Sequence, residues 1–202
     1  EDLERMESLI QEKLRSVRPG LKRSVANQLR AFWGLRETGM RGNEVRCLRL
    51  ENINLKDGLI HLRDDPNTDF RIKGRREESI HVSDRLSLFL ENDLRDREKS
   101  ERYFCDNGQQ KPQWTSISQM TQAFGRMNRR LGIKGVKPVH GFRAYVTTRL
   151  LEKGVDLSMV RDIMRHKDLN TTLGYLNRTR MPYREAMNRI SYITEKLALL
   201  DQ

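Results

Sequence analysis

Cysteine is scarce in this sequence of 202 residues, and a long hydrophobic run is missing altogether. The two cysteines, Cys47 and Cys105, are too few and too far apart to form a zinc cage, and they indicate no disulfide framework. No apolar stretch approaches the roughly 20 residues that span a bilayer, and the N-terminus has no signal-peptide pattern. We therefore expect neither a membrane protein nor a secreted protein.

Motifs for nucleotide and metal chemistry are also missing. The sequence contains no Walker loop. Three acidic residues, Asp64, Asp65 and Asp69, lie close together, but they flank Pro66 and Asn67, a composition typical of an Asx-rich turn. We therefore expect no nucleotide cofactor and no pair of catalytic metal ions.

Positive charge is present in large excess. Lysine and arginine together number 39 against 28 acidic residues, which gives a formal net charge of +11, and 28 of the 39 basic residues are arginines. Arginine presents a planar fork of donors that suits phosphate oxygens. The composition favours a polyanionic partner, above all nucleic acid, although proteins of this charge also bind acidic proteins.

The spacing of apolar residues predicts a mostly helical chain with one small sheet. Gly39 is the expected stop of the second helix, and Pro19-Gly20 the end of the first. Helices are predicted at 3–17, 25–38, 44–50, 86–94, 118–131, 142–151 and 157–164, with an amphipathic helix from 183 to 197. Short β-prone pieces are predicted at 58–62, 70–72 and 80–82. The expected fold class is mainly α with a small antiparallel β-sheet (α+β).

Two segments in the first half carry residues suited to a phosphate. Arg41 lies in a turn between helices, and Glu44, three residues later, can hold its guanidinium by a charge-assisted hydrogen bond. A surface salt bridge in an ordinary turn explains the same pair. Lys73 lies in a basic turn between predicted strands, where it can donate a proton to a leaving oxygen or be a solvated edge charge.

Two further segments lie in the second half. His140 and Arg143 are three residues apart, so at a helix start they face one small anion together with the helix dipole. His166 is followed nine residues later by Tyr175 across a polar turn. A capping histidine and a helix-packing tyrosine remain the alternative for this last pair.

The order of these residues resembles the catalytic series of the tyrosine recombinase (phage integrase) family. The best-matched stretches read ETGMRGNEVRCLRLENINL and HGFRAYVTTRLLEKGVDLSMVRDIMRHKDLNTTLGYLNRT, and the second keeps residue types and spacing through forty positions. The resemblance covers the chain from about Leu35 to Arg178. It implies the catalytic-domain fold of that family and a catalytic set consisting of Arg41, Lys73, His140, Arg143, His166 and Tyr175. Glu44 is implied as the supporting acid of Arg41.

The resemblance also implies a reaction. Tyr175 would attack a DNA phosphate and form a 3′-phosphotyrosyl bond, so that rejoining needs neither metal nor ATP. The implied partner is double-stranded DNA with specific recombination sites, on which the protein would assemble as a tetrameric synapse. The implied location is the cytoplasm, and the implied origin is a prokaryote, a phage or another mobile element. Two alternatives are a type IB topoisomerase-like nicking-closing enzyme and a catalytically silent DNA-binding homologue.

The sequence departs from the family pattern at three places. Met164-Arg165-His166 stands where Leu-Gly-His is common, Phe142 replaces a leucine, and the strand after Lys73 lacks a frequent proline. The expected domains are a catalytic domain at 1–180 and an amphipathic tail helix at 181–202, docked either on a neighbouring protomer or on its own domain. The family's N-terminal DNA-clamping domain does not fit before the first motif, so we expect the catalytic part of a longer enzyme. Alone, this part should bind DNA weakly and with a steep salt dependence.

Overall fold

The computed structural model describes residues 1–72 and 77–176. Contacts divide the chain into two compact units, the first at Glu1–Thr147 and the second beginning at Thr148. Lys73 and the predicted tail helix at 181–202 lie outside the described residues. None of the helices in the described part is long and apolar enough to cross a membrane.

Helices dominate the described residues, as the sequence predicts. They are α1 (Asp2–Ser16), α2 (Pro19–Thr38), α3 (Gly42–Arg46), α4 (Asp84–Arg95), α5 (Ile117–Leu131), α6 (His140–Glu152), α7 (Leu157–Met164) and α8 (Leu169–Leu176). Pro19 does not merely end the first helix, because it is the first residue of α2. Proline suits that position, where its fixed φ is helical and its missing N–H would have no helical partner.

The sheet has three short antiparallel strands in the order of the sequence: β1 (Ile53–Asn54), β2 (Leu59–Leu62) and β3 (Glu78–His81). Ile60 is the central position, since it pairs with Ile53 on one side and with Ile80 on the other. The predicted α+β fold class is therefore confirmed.

The strand predicted at 70–72 is wrong. The backbone N–H of Ile72 donates to Oδ1 of Asp64 at 2.7 Å, and Arg71 donates from Nη1 to the carbonyls of Asp65 and Phe70 at 3.1 and 2.7 Å. Side-chain hydrogen bonds thus take the place of strand pairing in this segment. The missed strand is β1, whose two residues are too few to show an alternating pattern.

The helix predicted at 44–50 is also wrong in its second half. α3 ends at Arg46, because the next residues pair with a distant segment instead. The N–H of Leu50 donates to the carbonyl of Arg102, and the N–H of Phe104 donates to the carbonyl of Leu48, both at 2.8 Å. This long-range pairing leaves no signal in the local spacing of apolar residues.

Three phenylalanines fix the start of α6 in the core of the first unit. Phe142 meets Phe32 of α2 and Phe124 of α5 edge-on, with ring centroids 5.7 and 5.6 Å apart. All three rings are buried. Edge-to-face pairs contribute about 0.5–1.5 kcal/mol each beyond the burial of their area. The contacts hold the first turn of α6 against α2 and α5.

The second unit contains α7 and α8. α7 has the predicted bounds and is capped at its N-terminus by Asp156, whose Oδ1 accepts from the N–H groups of Ser158 and Met159. Arg165, the residue that follows its last turn, adopts the left-handed conformation, with φ 53° and ψ 46°. This is the position where the family pattern has glycine, the residue that adopts this conformation most readily. α8 is not predicted from the sequence, because its first turn is polar and, among its described side chains, the buried one is that of Thr172.

Candidate functional site

Glu44 holds Arg41 in the turn between α2 and α3. The N–H of Arg41 donates to Oε2 of Glu44, and Nη1 of Arg41 donates to Oε1, both at 2.7 Å. The side chain of Glu44 is only 3% exposed, whereas that of Arg41 is 29% exposed. A buried carboxylate that binds both the backbone and the guanidinium of Arg41 fixes its position, which an exposed surface pair would not do.

Arg143 approaches the same turn from α6. Its side chain lies on the helix turn that Phe142 packs into the core, and the residue is 4% exposed. Its Nη1 donates to the carbonyl oxygen of Gly39 at 2.8 Å. Gly39 ends α2 with φ 62°, in the left-handed region. This bend turns the chain toward Arg41, so the two arginines are held to one short segment of backbone.

A cavity of about 520 Å³ brings the predicted residues of the first unit together. Arg41, Glu44, His140 and Arg143 all line it. Arg46, Arg71 and Asp69 also contribute to its lining. Four arginines and one histidine against two carboxylates give the cavity a basic lining that suits a phosphate group.

His140 is the first residue of α6, is exposed to solvent and lines this cavity. The partial burial of its ring lowers its pKa, and the positive charges of Lys137 and Arg143 lower it further. Because the pKa of His140 lies below the usual histidine value of about 6.5, its imidazole stays neutral down to a lower pH. A neutral imidazole ring can accept a proton at one nitrogen.

Arg46 supports the floor of the cavity from α3. Its side chain is 4% exposed and donates to Oδ1 of Asn43 at 3.0 Å, to the carbonyl of Thr115 at 3.0 Å and to Oδ1 of Asp69 at 3.1 Å. These bonds tie α3 to the segments that carry Asp69 and Thr115. The sequence motifs do not predict a role for Arg46. The one feature that could have indicated it is its position one helical turn after Gly42, close to Arg41.

The acidic turn at 64–69 is a structural element. Asp65 is 1% exposed, accepts the hydroxyl hydrogen bond of Tyr103 at 2.8 Å, and accepts from the N–H of Asn67 at 3.0 Å. Burial and the neighbouring carboxylate raise the pKa of Tyr103 well above its usual range. The predicted Asx-rich turn is therefore present. Among the described residues, no group of three or more His, Cys, Asp or Glu side chains is placed to hold a metal ion.

His166 and Tyr175 lie together in the second unit. Their rings are nearly parallel, with an interplanar angle of 8° and centroids 6.3 Å apart. Nδ1 of His166 is 2.9 Å from Oγ1 of Thr172, a residue with no exposed surface. Tyr175 is partly exposed on α8. Those predicted site residues that the structure describes thus fall into two sets, one in each unit.

Comparison with known proteins decides the family. The profile of the phage integrase family matches residues 11–181. The chain belongs to the phage integrase family. This confirms the resemblance found in the sequence motifs.

The chain is similar to tyrosine recombinases and to a transposase. The chain is 27% identical over 157 residues to tyrosine recombinase XerA of Pyrococcus furiosus, a match that covers 77% of this chain and 52% of the relative. It is 34% identical over 152 residues to transposase A of transposon Tn554 from Staphylococcus aureus, covering 68% of this chain and 39% of the relative. The chain thus spans about half the length of the curated relatives that it matches, or less.

Solved structures of the phage integrase family share the fold. The crystal structure of XerA recombinase superposes with a TM-score of 0.65 at 18% identity, covering 96% of this chain and 62% of that one. XerH site-specific recombinase, bound to palindromic difH substrate in a post-cleavage complex, gives a TM-score of 0.68 at 19% identity, covering 96% and 52%. The predicted catalytic-domain fold is confirmed.

Proposed function

We propose that this chain is the catalytic part of a site-specific DNA recombinase that breaks and rejoins strands through a 3′-phosphotyrosyl intermediate. One observation carries the proposal: Arg41 lines a single basic cavity together with His140 and Arg143, which lie far from it in sequence. Membership of the phage integrase family supports it. So does the pairing of His166 with Tyr175 in the second unit.

The arginines would stabilise the transition state. Arg41 and Arg143 would bind the non-bridging oxygens of the scissile phosphate, on which negative charge grows as the tyrosine attacks. Both are held by other groups in advance, Arg41 by Glu44 and Arg143 by the carbonyl of Gly39. Donors that are fixed before the reaction lose little energy to reorganisation, and removing one typically costs about 10²–10³ in rate.

The proton transfers involve a base and an acid. Oη of Tyr175 would form the new bond to phosphorus and release its proton, for which the neutral His140 is the proposed base. The bond from phosphorus to the 5′-oxygen would break, and Lys73 would supply the proton that completes the 5′-hydroxyl. His166 would donate a hydrogen bond to a phosphate oxygen. Rejoining would be the reverse sequence with a new 5′-hydroxyl.

A basic surface away from the cavity would grip the duplex. Lys13 of α1 lies near Arg126 and Arg130 of α5, and burial together with their positive charges lowers its pKa. Within the described residues no ion pair to a carboxylate is found for these three side chains. A cluster of positive charges that no ion pair neutralises is suited to DNA phosphates. We propose self-assembly of the chain on a palindromic DNA site as a tetrameric synapse.

A suicide duplex tests the function. The 202-residue chain is incubated with nicked DNA that carries a recombination site, in buffer with EDTA, and covalent adducts are resolved on a denaturing gel. We expect an adduct, and we expect Tyr175→Phe to abolish it. Tyr145→Phe is the matched control, because Tyr145 is also a tyrosine on a helix and is 40% exposed. An adduct that survives Tyr175→Phe, or that requires a metal ion, would refute the mechanism.

A further inference from the structure

Thr172 is a hydrogen-bond partner of His166 within the second unit. The residue lies one turn into α8, has no exposed surface, and places Oγ1 2.9 Å from Nδ1 of the imidazole. Its neighbour Thr171 is exposed on the same helix. Thr172 is thus the buried threonine of the pair, and its hydroxyl contacts a candidate catalytic histidine. Helix packing alone does not account for this contact.

The burial of Thr172 determines the direction of this hydrogen bond. In the described part of the chain, the imidazole is the one hydrogen-bond partner of the Thr172 hydroxyl. If Nδ1 carried a proton and donated it, the hydroxyl hydrogen of Thr172 would be buried with no acceptor, at a cost of about 1–3 kcal/mol. If the hydroxyl donates to Nδ1, its hydrogen is satisfied and only acceptor capacity is left over.

We propose that Thr172 is a positioning residue that donates to Nδ1 of His166 and so holds the neutral ring with its proton on Nε2. The Nε2–H is then the group that His166 presents to a phosphate oxygen. The same bond fixes the ring plane, which lies parallel to that of Tyr175 at 8°. This assignment rests on the proposed strand-cleavage function, since a phosphate must be present for Nε2–H to act on.

Two measurements on the full 202-residue chain test the assignment. The first is the ¹⁵N spectrum of the histidine rings at about pH 8, above the usual histidine pKa of about 6.5, with His166→Gln to assign the signals. The second is the rate of covalent adduct formation on the suicide duplex. Thr172→Val removes the hydroxyl at nearly constant shape, Thr172→Ser keeps it, and Thr171→Val is the matched control on the exposed neighbour.

We expect the parent His166 to carry its proton on Nε2 and to show Nδ1 as a hydrogen-bond acceptor. Thr172→Val should move the Nδ1 resonance toward that of an acceptor without a partner and slow adduct formation about 10- to 100-fold, the range observed when metal-bound histidines lose a supporting hydrogen bond. Thr172→Ser should restore both readings, and Thr171→Val should change neither. DNA affinity should stay the same throughout.

Other results overturn the proposal. A parent ring protonated on Nδ1 contradicts it directly, even if Thr172→Val does not fold. A folded Thr172→Val with an unchanged Nδ1 resonance, or with the parent rate, also contradicts it. If the parent chain forms no adduct although its ring spectrum is as expected, the proposed function fails and the hydrogen-bond assignment stands as structural only.

Discussion

The guanidinium of Arg143 donates a hydrogen bond to the carbonyl oxygen of Gly39, 2.8 Å away and 104 residues earlier in the chain. This bond joins the start of α6 to the end of α2. Hydrogen bonds to charged groups contribute about 1.5–3 kcal/mol, more than neutral ones. Because Arg41 lies two residues after Gly39, the bond fixes where the two arginines of the cavity stand relative to each other.

Gly39→Ala should destabilise the protein and slow DNA cleavage. Gly39 has φ 62°, and the left-handed conformation costs an L-residue with a Cβ about 1–2 kcal/mol. The strain should also shift the carbonyl that holds Arg143. We expect a loss of about 1–2 kcal/mol in the free energy of unfolding, measured in urea, together with slower adduct formation.

Gly20→Ala is the control for that prediction. Gly20 lies in the first turn of α2, and a Cβ built there meets no atom within 4 Å. Alanine at a compatible helical position stabilises by about 0.4–1 kcal/mol. The two substitutions should therefore change stability in opposite directions. Equal changes in the free energy of unfolding would show that the left-handed conformation of Gly39 does not cause the loss of stability.

Glu44→Gln should weaken both folding and cleavage. The carboxylate binds the N–H and Nη1 of Arg41, and glutamine can accept only one of those bonds with its single oxygen. We expect a loss of about 1–3 kcal/mol in stability. Adduct formation should fall about 10- to 100-fold, because a small displacement of Arg41 misaligns it with the phosphate.

Glu51→Gln is the matched control for Glu44→Gln. Glu51 pairs with Arg49 at 3.1 Å, but its side chain is 63% exposed. Exposed pairs contribute about 0–1 kcal/mol. We expect near-parent stability and parent cleavage from this variant. If Glu44→Gln also keeps near-parent stability and cleavage, Glu44 contributes no more than an exposed ion pair, and the prediction is contradicted.

The helices of the first unit were predictable because their buried faces repeat at helical spacing. α5, for example, buries Met120, Phe124 and Met127 on one stripe and ends at a left-handed Gly132. The segments that were predicted wrongly are those where distant or polar groups decide. The conformation at 70–72 is set by the hydrogen bond that the N–H of Ile72 donates to Asp64. The helix α3 does not continue to residue 50, because Leu50 pairs with Arg102.

The candidate site could be predicted in its residue types but not in its supports. The motifs pointed to Arg41 and Arg143, and the cavity that contains both is a property of the fold. Spacing alone could not reveal that Gly39 accepts from Arg143, since the two are distant in sequence. The role of Thr172 could not be predicted either, because nothing in a polar stretch of sequence indicates that one of its threonines is fully buried.

His140 should titrate below the usual histidine range. Burial of its ring and the charges of Lys137 and Arg143 lower its pKa from about 6.5. Lys137→Gln removes one of these charges and should raise the pKa in an NMR titration, with His140→Gln to assign the signal. Lys134→Gln is the charge-matched control and should leave the pKa unchanged. A His140 signal that titrates above 6.5 in the parent would contradict the account.

The lowered pKa of His140 also fixes the sign of a stability change. The folded state binds a proton here less readily than the unfolded state, so the contribution to stability is complete above about pH 6.5 and is lost as the pH falls through the folded pKa. The parent should therefore lose more stability between about pH 7 and 5 than His140→Gln does. An equal loss in both proteins would show that other groups account for the acid sensitivity.

Removing the charges of Arg126 and Arg130 together should weaken DNA binding and flatten its salt dependence. Both are exposed on α5 and lie near Lys13. Each phosphate contact contributes about 0.9 to the slope of log K against log salt, so Arg126→Gln with Arg130→Gln should lower the slope by about 2. Lys56→Gln, at an exposed turn before β2, removes one charge elsewhere and should change the slope by less than about 1. Fluorescence anisotropy across a salt series measures both, and an unchanged slope in the double variant would place the duplex on another surface.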